Sequence, residues 1–127
     1  MTDVLIPEGS EGTAADTATL VRVEVRTPGG WAAVCDRDHL VTGRGVAALL
    51  PDGSQIALFL DRSGVVHAIG NRDPFTGAYV LSRGLLGSVG GQPFVASPLL
   101  KQRFDLATGR CLDDETVAVP AYATRLR

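Results

Sequence analysis

The chain is poor in the residues that bind metal ions. Its 127 residues include only two cysteines, Cys35 and Cys111, and two histidines, His39 and His67. The cysteines lie far apart in sequence, and neither has a second cysteine or a histidine at a metal-binding spacing. We therefore expect two buried thiols rather than a metal centre. A disulfide stays open at this point, because it depends on the Cα atoms lying within about 7 Å of each other.

Excess positive charge and long apolar runs are also absent. Twelve Lys and Arg oppose 14 Asp and Glu, which gives a net charge of −2, so no basic field favours nucleic acid or an anionic membrane. The longest apolar stretches are far too short to span a bilayer. The first residues lack the basic region and apolar core of a signal peptide. These features predict a soluble cytoplasmic protein.

Helical periodicity and phosphate-binding loops are missing as well. No glycine-rich loop opens a helix, so a nicotinamide or flavin site on this chain is not supported. The composition, with 45% apolar and 20% charged residues, 15 Gly and 7 Pro, favours one compact, turn-rich β domain. Residues 1–17 show no period and predict a disordered or loosely attached arm, followed by a folded domain over residues 18–127.

Short apolar runs separated by turn residues predict antiparallel strands. Residues 20–25 alternate between apolar and polar, which places Arg22 and Glu24 on the wet face. Tight turns at residues 51–54 and 62–64 join the apolar runs at residues 45–50, 55–61 and 65–69 into two consecutive hairpins. The further predicted strands lie at residues 31–35, 45–50, 55–61, 65–69, 85–89, 93–96 and 102–106, and Gly90-Gly91 joins residues 85–89 and 93–96 into another predicted hairpin. Residues 117–119 and 121–126 are predicted as closing strand material, and Pro120 between them places this segment at an edge or a bend.

Two loops carry the most distinctive residues. The first, at residues 70–77, reads Gly-Asn-Arg-Asp-Pro-Phe-Thr-Gly, and the second, at residues 96–104, reads Ala-Ser-Pro-Leu-Leu-Lys-Gln-Arg-Phe. Each follows a predicted strand and contains a proline. Ser97 has no recognisable base beside it, and His67 lies within a predicted strand, where a structural role is expected. No catalytic residue is therefore predicted.

This pair of loops resembles the Rieske iron–sulfur domain, whose loops supply Cys-x-His and Cys-x-x-His to one two-iron, two-sulfide cluster. The four corresponding positions here are Asn71, Asp73, Ser97 and Leu100. Three of them offer oxygen atoms and the fourth offers no donor, and one carboxylate is too few for a hard cation. The resemblance thus implies an all-β, Rieske-like fold of antiparallel sheets with two projecting loops, no cluster and no metal.

More narrowly, residues 70–77, 80–84 and 96–102 resemble the small subunit of assimilatory NAD(P)H-dependent nitrite reductase, over a span from about Trp31 to the C-terminus. In that family a large subunit bearing FAD, an iron–sulfur cluster and sirohaem reduces nitrite to ammonium. The resemblance implies a cofactor-free chain that docks on and supports this large subunit. The alternatives are a cluster-free binding module of another oxidoreductase, or a Rieske-type ferredoxin, which would require the missing ligands.

The loops also predict a partner-binding surface, because binding groups often lie on loops held by a rigid scaffold. Apolar anchors and cations make up the predicted contacts: Arg72, Phe75, Tyr79, Arg83, Leu99, Leu100, Lys101 and Arg103. The alternative is that the aromatic rings fold back onto the core and the charges are merely solvated. Asn71 and Asp73 are expected to bond to backbone amides two residues on, and Ser97 to do the same before Pro98, so that hydrogen bonds hold the loops where a metal would.

Overall fold

The computed structural model describes residues 21–127, so the predicted arm at residues 1–17 lies outside the described residues. The described part contains ten strands and two single-turn 3₁₀ helices, at Arg37–His39 and Leu81–Arg83. The strands are β1 (Arg22–Thr27), β2 (Gly30–Asp36), β3 (Gly45–Leu49), β4 (Gln55–Leu60), β5 (Val66–Gly70), β6 (Leu85–Val89), β7 (Gln92–Ala96), β8 (Arg103–Asp105), β9 (Ala121–Tyr122) and β10 (Thr124–Leu126). Among residues 21–127, no helix is long and apolar enough to cross a membrane.

The strands form three antiparallel sheets. Their orders are β10-β1-β2, β3-β4-β5-β9 and β6-β7-β8. The predicted hairpins β3-β4, β4-β5 and β6-β7 are all present, because turns rich in Pro, Gly and Asp join runs of the right length. In β1, Val23 and Val25 are buried while Arg22 faces solvent. The all-β, antiparallel prediction is therefore confirmed.

Strand β4 lies at the centre of the molecule and is buried on both faces. Ile56 and Leu58 pack into a core formed with β1 and β2, called here the outer core. Ala57 and Phe59 face the opposite way into a second core with β7 and β8, called here the loop core. Successive strand residues point to opposite faces, so a strand covered on both sides is apolar throughout rather than alternating.

The two cysteines lie in different cores, Cys35 in the outer core and Cys111 in the loop core. Both are free and buried, as predicted. Burial, reinforced by the neighbouring Asp36 carboxylate, raises the pKa of the Cys35 thiol to about 11. Cys35 is therefore a protonated packing residue at neutral pH rather than a reactive thiolate.

The C-terminal segment is divided at Pro120, where the sequence predicted an edge or a bend. Pro120 has no N–H to donate and interrupts the ladder, so the segment before it forms only an isolated bridge between Ala118 and Arg110. After Pro120, β9 pairs with β5 in the central sheet and β10 pairs with β1 in another sheet. The last residues therefore join two sheets, a nonlocal pairing that no local pattern reveals.

The two loops project from the side of the molecule that holds the loop core. Loop 1 (residues 71–84) connects β5 to β6, and loop 2 (residues 97–102) connects β7 to β8. Gly84, where loop 1 ends, packs so closely on β7 that a Cβ atom there would overlap the carbonyl oxygen of Ala96. Since Ala96 immediately precedes loop 2, this close approach brings the two loops together.

Candidate interaction site at the two loops

Asp73 of loop 1 lies at the centre of the site and is fully buried. One carboxylate oxygen, Oδ1, accepts a hydrogen bond from the Phe75 N–H at 2.8 Å. The other, Oδ2, accepts one from the Ser97 hydroxyl of loop 2 at 2.6 Å. Both oxygens are thus engaged, and hydrogen bonds to a carboxylate are among the stronger ones in proteins. The Asp73–Ser97 bond, called here the cross-loop bond, connects the two loops directly.

Ser97 fixes the shape of loop 2 as well as its link to loop 1. Its hydroxyl oxygen accepts a hydrogen bond from the Leu99 N–H at 3.3 Å. Its backbone N–H donates to the Gln102 carbonyl at 2.9 Å, and its carbonyl accepts from the Lys101 N–H at 3.0 Å. Ser97 is 1% exposed, so water cannot substitute for these partners and each bond is expected to hold the loop in place.

Asn71 holds the two ends of loop 1 together. Its Oδ1 accepts a hydrogen bond from the Ser82 N–H at 2.7 Å, and its Nδ2 donates to Gln55 Oε1 at 3.1 Å. The sequence predicted a bond to an amide two residues on, whereas the bond reaches eleven residues on. The difference arises because loop 1 returns to the end of β5, which places the Leu81–Arg83 turn beside Asn71. Asn71 therefore closes the whole loop rather than one local turn.

The fourth ligand-like position, Leu100, behaves differently from the other three. Its side chain is 57% exposed at the tip of loop 2. The four positions together offer no thiolate and no imidazole, and the oxygens of Asp73 and Ser97 are already used in bonds to protein groups. Within residues 21–127 no group of three or more His, Cys, Asp or Glu is placed so that it could hold a metal ion. The donor set does not fit an iron–sulfur cluster.

Catalytic arrangements do not form at the loops either. Ser97 and the Asp73 carboxylate that accepts its hydroxyl bond are both buried and closed to a substrate, and His67 lies in β5, where its Nε2 is 2.8 Å from Asp61 Oδ2. A shallow cavity of about 350 Å³ beside loop 1 is lined in part by Arg72, Tyr79 and other residues, none of them His, Cys, Asp or Glu. The described residues thus bring no acid–base pair into this cavity.

The outer surface of the loops carries exposed apolar side chains. Tyr79 of loop 1 and Leu99 and Leu100 of loop 2 are all at least half exposed. Leu85, which the sequence reasoning missed, is 75% exposed and stands opposite Ala96 at the base of loop 2. The Leu85-Leu86 doublet was the available signal: neighbouring residues in a strand face opposite sides, so only Leu86 reaches the loop core.

Two of the predicted contact residues are engaged within the chain. Phe75 packs against the loop core with its ring centroid 6.2 Å from that of Phe104. This agrees with the alternative given above, in which the aromatic rings of the loops fold back onto the core. Arg103 forms a two-point ion pair with Asp113, at 2.8 Å from Nη2 to Oδ1 and 3.2 Å from Nε to Oδ2. Hydrogen bonding from Arg103 lowers the pKa of the Asp113 carboxyl. Both side chains therefore support the scaffold.

The remaining cations of the loops stay accessible. Arg72, Arg83 and Lys101 are exposed, and none of them forms an ion pair with another residue in the part of the chain that the structure describes. Asp73, the one acidic residue in either loop, is buried. The loops thus present positive charge on a chain whose net charge is −2. A role of the eight predicted residues in partner binding remains a prediction.

Comparison with known proteins identifies the family of this chain. Residues 30–127 match the model of the Rieske-like two-iron, two-sulfide domain. The nitrite reductase (NADH) small subunit of Salmonella typhimurium is 46% identical over 98 residues, which is 76% of this chain and 90% of the relative. A solution structure of the nitrite reductase NAD(P)H small subunit from Erwinia carotovora has a TM-score of 0.60 at 44% identity, covering 72% of this chain and 71% of that one.

A related segment also occurs inside a much longer protein. The nitrite reductase NAD(P)H large subunit of Klebsiella oxytoca is 46% identical over 97 residues, which is 76% of this chain but only 10% of that protein. The Rieske-like fold and the resemblance that the loops predicted are both confirmed by these matches. With Asn71, Asp73, Ser97 and Leu100 at the four ligand positions, this chain belongs to the Rieske-like family of nitrite reductase small subunits.

Proposed function

We propose that this chain is the redox-inactive small subunit of a cytoplasmic NAD(P)H-dependent nitrite reductase. It docks on the large subunit and supports the six-electron reduction of nitrite to ammonium in nitrate assimilation. FAD, the iron–sulfur cluster and sirohaem belong to the large subunit in this proposal, and this chain holds no cofactor. One observation carries the proposal: the cross-loop bond between Asp73 and Ser97, 2.6 Å long and buried, holds the loops where metal ligands would otherwise stand.

The choice of partner rests on the relatives. Several of them are small subunits of nitrite reductase. In the Klebsiella oxytoca large subunit, a segment 46% identical to this chain is part of the same polypeptide. A module that is covalently joined to a large subunit in one protein and separate in another is expected to dock on it where it is separate, since the covalent link only raises the effective concentration.

The surface that we propose for docking is the outer side of the two loops. It combines exposed apolar side chains, Tyr79, Leu85, Leu99 and Leu100, with the accessible cations Arg72, Arg83 and Lys101. A cluster of exposed leucines is unfavourable in water unless a partner covers it. Interfaces typically place such apolar anchors inside a polar rim. A rigid base below the loops keeps these side chains in place before binding, which reduces the entropy lost on association.

Docking can change the rate of nitrite reduction without this chain touching a substrate. If the small subunit binds one conformation of the large subunit more tightly than others, it raises the population of that conformation. The described residues offer no redox centre and no acid–base pair at the loops, so their contribution is binding energy. Phe75 and Arg103 then act from behind the surface by supporting the loops through Phe104 and Asp113.

Reconstitution with the cognate large subunit tests this function. The two chains are co-expressed, with an affinity tag on this chain, and nitrite-dependent NAD(P)H oxidation is measured for the complex and for the large subunit alone. The proposal predicts a complex that contains flavin and sirohaem, and an activity that falls when this chain is left out. The proposal is wrong if no complex forms, or if the large subunit has the same activity with and without this chain.

The alternatives predict other outcomes of the same preparation. A cluster-free binding module of a different oxidoreductase would bind a partner without sirohaem when the tagged chain is expressed in its own organism. A Rieske-type ferredoxin would be red-brown after purification, because the iron–sulfur cluster absorbs visible light. The donor set at Asn71, Asp73, Ser97 and Leu100 predicts a colourless chain.

A further inference from the structure

Lys101, at the tip of loop 2, has an unusual backbone conformation. Its φ angle is +69°, in the left-handed region that side chains with a Cβ atom disfavour. Eight other residues in the described part of the chain have positive φ, and all eight are glycines. Lys101 is the one non-glycine among them, so the sequence places glycine wherever the backbone requires this conformation except here.

The turn explains the conformation but not the choice of lysine. Loop 2 is closed by the bond from the Lys101 N–H to the Ser97 carbonyl, at 3.0 Å, and by that from the Ser97 N–H to the Gln102 carbonyl, at 2.9 Å. Turns closed by a bond between residues four apart commonly end in a left-handed residue, which is usually glycine and sometimes asparagine. Glycine or asparagine would satisfy the turn at Lys101 with less strain.

Within the described chain the Lys101 side chain takes part in no hydrogen bond or ion pair. It is exposed, and it makes no ion pair with any carboxylate of residues 21–127. Its neighbours in the loop are the exposed Leu99 and Leu100. The strain is thus not offset by a polar contact of this side chain inside the described part of the protein. Strained residues of this kind concentrate at binding sites, where the side chain is needed in one position.

We infer that Lys101 forms an ion pair with a carboxylate on the large subunit, and that the fold retains a strained lysine at the tip of loop 2 for this contact. This inference rests on the proposed function and adds the chemistry of the partner: an acidic group next to an apolar recess that receives Leu99 and Leu100. Charge favours it, because the accessible charges of both loops are all positive although the whole chain carries −2. Opposite charges speed association and orient the two surfaces.

Two substitutions test this inference, with the Tm reporting the backbone strain and the Kd reporting the charge. Lys101→Gly removes both, so the Tm is expected to stay equal to that of the wild type or to rise by up to about 5 °C, while the Kd for the cognate large subunit rises about tenfold or more. Lys101→Arg keeps both the charge and the strained conformation, so the Kd is expected to change less than about threefold. Arg62→Gln removes one exposed charge in the turn between β4 and β5, at the end of β5 opposite to loop 1, and should leave the Kd unchanged.

Salt dependence gives a second readout. The wild-type Kd should rise steeply between about 50 and 500 mM salt because ion pairs are screened, and Lys101→Gly should show a weaker dependence. The inference is overturned if Lys101→Gly binds the large subunit as tightly as the wild type, or if its Tm falls by more than about 5 °C. If the wild-type chain itself does not bind the large subunit, the proposed function fails instead, so the two failures are distinguishable.

Discussion

The base and the tip of the two loops differ in what their side chains do. At the base, Asn71, Asp73 and Ser97 are all buried and bonded. At the tip, Leu99 and Leu100 are exposed with their side chains uncovered. The four positions that correspond to cluster ligands therefore differ in burial and in role. Asn71, Asp73 and Ser97 hold the loops together by buried hydrogen bonds, and Leu100 lies on the surface that we propose for docking.

This difference predicts that substitutions separate into two groups. A buried polar group that loses its partner lowers stability, because it cannot turn to water. An exposed apolar side chain contributes little to folding but can contribute strongly to binding when a partner covers it. Changes at the base should therefore move the free energy of unfolding, and changes at the tip should move the Kd for the large subunit.

The largest effect is expected from Asp73→Ala. It leaves the Ser97 hydroxyl and the Phe75 N–H without an acceptor in a buried site, which should lower the free energy of unfolding by about 3 kcal/mol. Urea denaturation measures this change in the free energy of unfolding. Asp73→Asn keeps the shape and one acceptor oxygen, so it should lose about half as much. A loss below about 0.5 kcal/mol for Asp73→Ala would mean that the base does not hold the loops.

Ser97→Ala should have the next largest effect. It removes one donor to the Asp73 carboxylate but leaves the Phe75 N–H bond intact, so a loss of about 1.5–2 kcal/mol is expected in the same urea experiment. Ser88→Ala, at an exposed position of β6, is the matched control and should change the value by less than about 0.5 kcal/mol.

The cross-loop bond itself can be isolated by combining Asp73→Ala with Ser97→Ala. Because the two residues touch, the double variant should lose less than the sum of the single losses, with a coupling energy of about 1 kcal/mol or more. Additive losses would show that Asp73 and Ser97 stabilise the loops independently, and the cross-loop bond would then not be the link between them.

The exposed leucines of the proposed docking surface should respond in the opposite way. Leu100→Ser and Leu85→Ser each remove an exposed apolar side chain, so each should change the free energy of unfolding by less than about 0.5 kcal/mol. The Kd for the large subunit should rise about tenfold, equivalent to about 1.4 kcal/mol of binding free energy. Val65→Ser, in the exposed turn before β5, provides the control. Equal binding by all three variants would show that Leu85 and Leu100 lie outside the interface.

The smallest effect concerns the turn at the far end of β5, where a carboxylate is bonded but lies outside both loops. Burial alone would raise the pKa of Asp61, but hydrogen bonds from His67, Ser63 and backbone amides outweigh it and lower the pKa. A lowered pKa in the folded state adds stability above the unfolded value, about 3.9, that is lost as the pH falls further.

Thermal unfolding between about pH 7 and pH 2 tests whether the pKa of Asp61 is lowered in the folded state. The Tm difference between the wild type and Asp61→Asn should be constant above about pH 5 and should shrink towards pH 2. Ser97→Ala, with Asp61 unchanged, should retain the acid-dependent loss due to Asp61. A difference that grows with falling pH would show that the pKa of Asp61 is raised rather than lowered.

Much of the fold could be predicted from local patterns. The strands from β1 to β8 follow runs of apolar residues bounded by Gly, Pro and Asp, and the motif residues at 70–77 and 96–104 predicted the two loops. What the patterns could not give was nonlocal: the split of the C-terminal segment between β9 and β10 depends on which sheet edges lie within reach.

The site shows the same limit. The residue types at Asn71, Asp73 and Ser97 predicted hydrogen bonds to backbone amides, and these bonds are present. The cross-loop bond was not predictable from spacing, because 24 residues separate its partners. The position of Phe75 was also left open, since sequence could not tell whether its ring faces a partner or packs beside Phe104.

The metal content of the isolated chain tests the central claim most directly. The chain is expressed with added iron and purified without oxygen, and its iron, acid-labile sulfide, visible absorption and electron paramagnetic resonance after reduction are measured. Side chains that bond to one another at the ligand positions predict a colourless protein with less than about 0.1 iron per chain. Two iron and two sulfide per chain with a Rieske-type signal would contradict it.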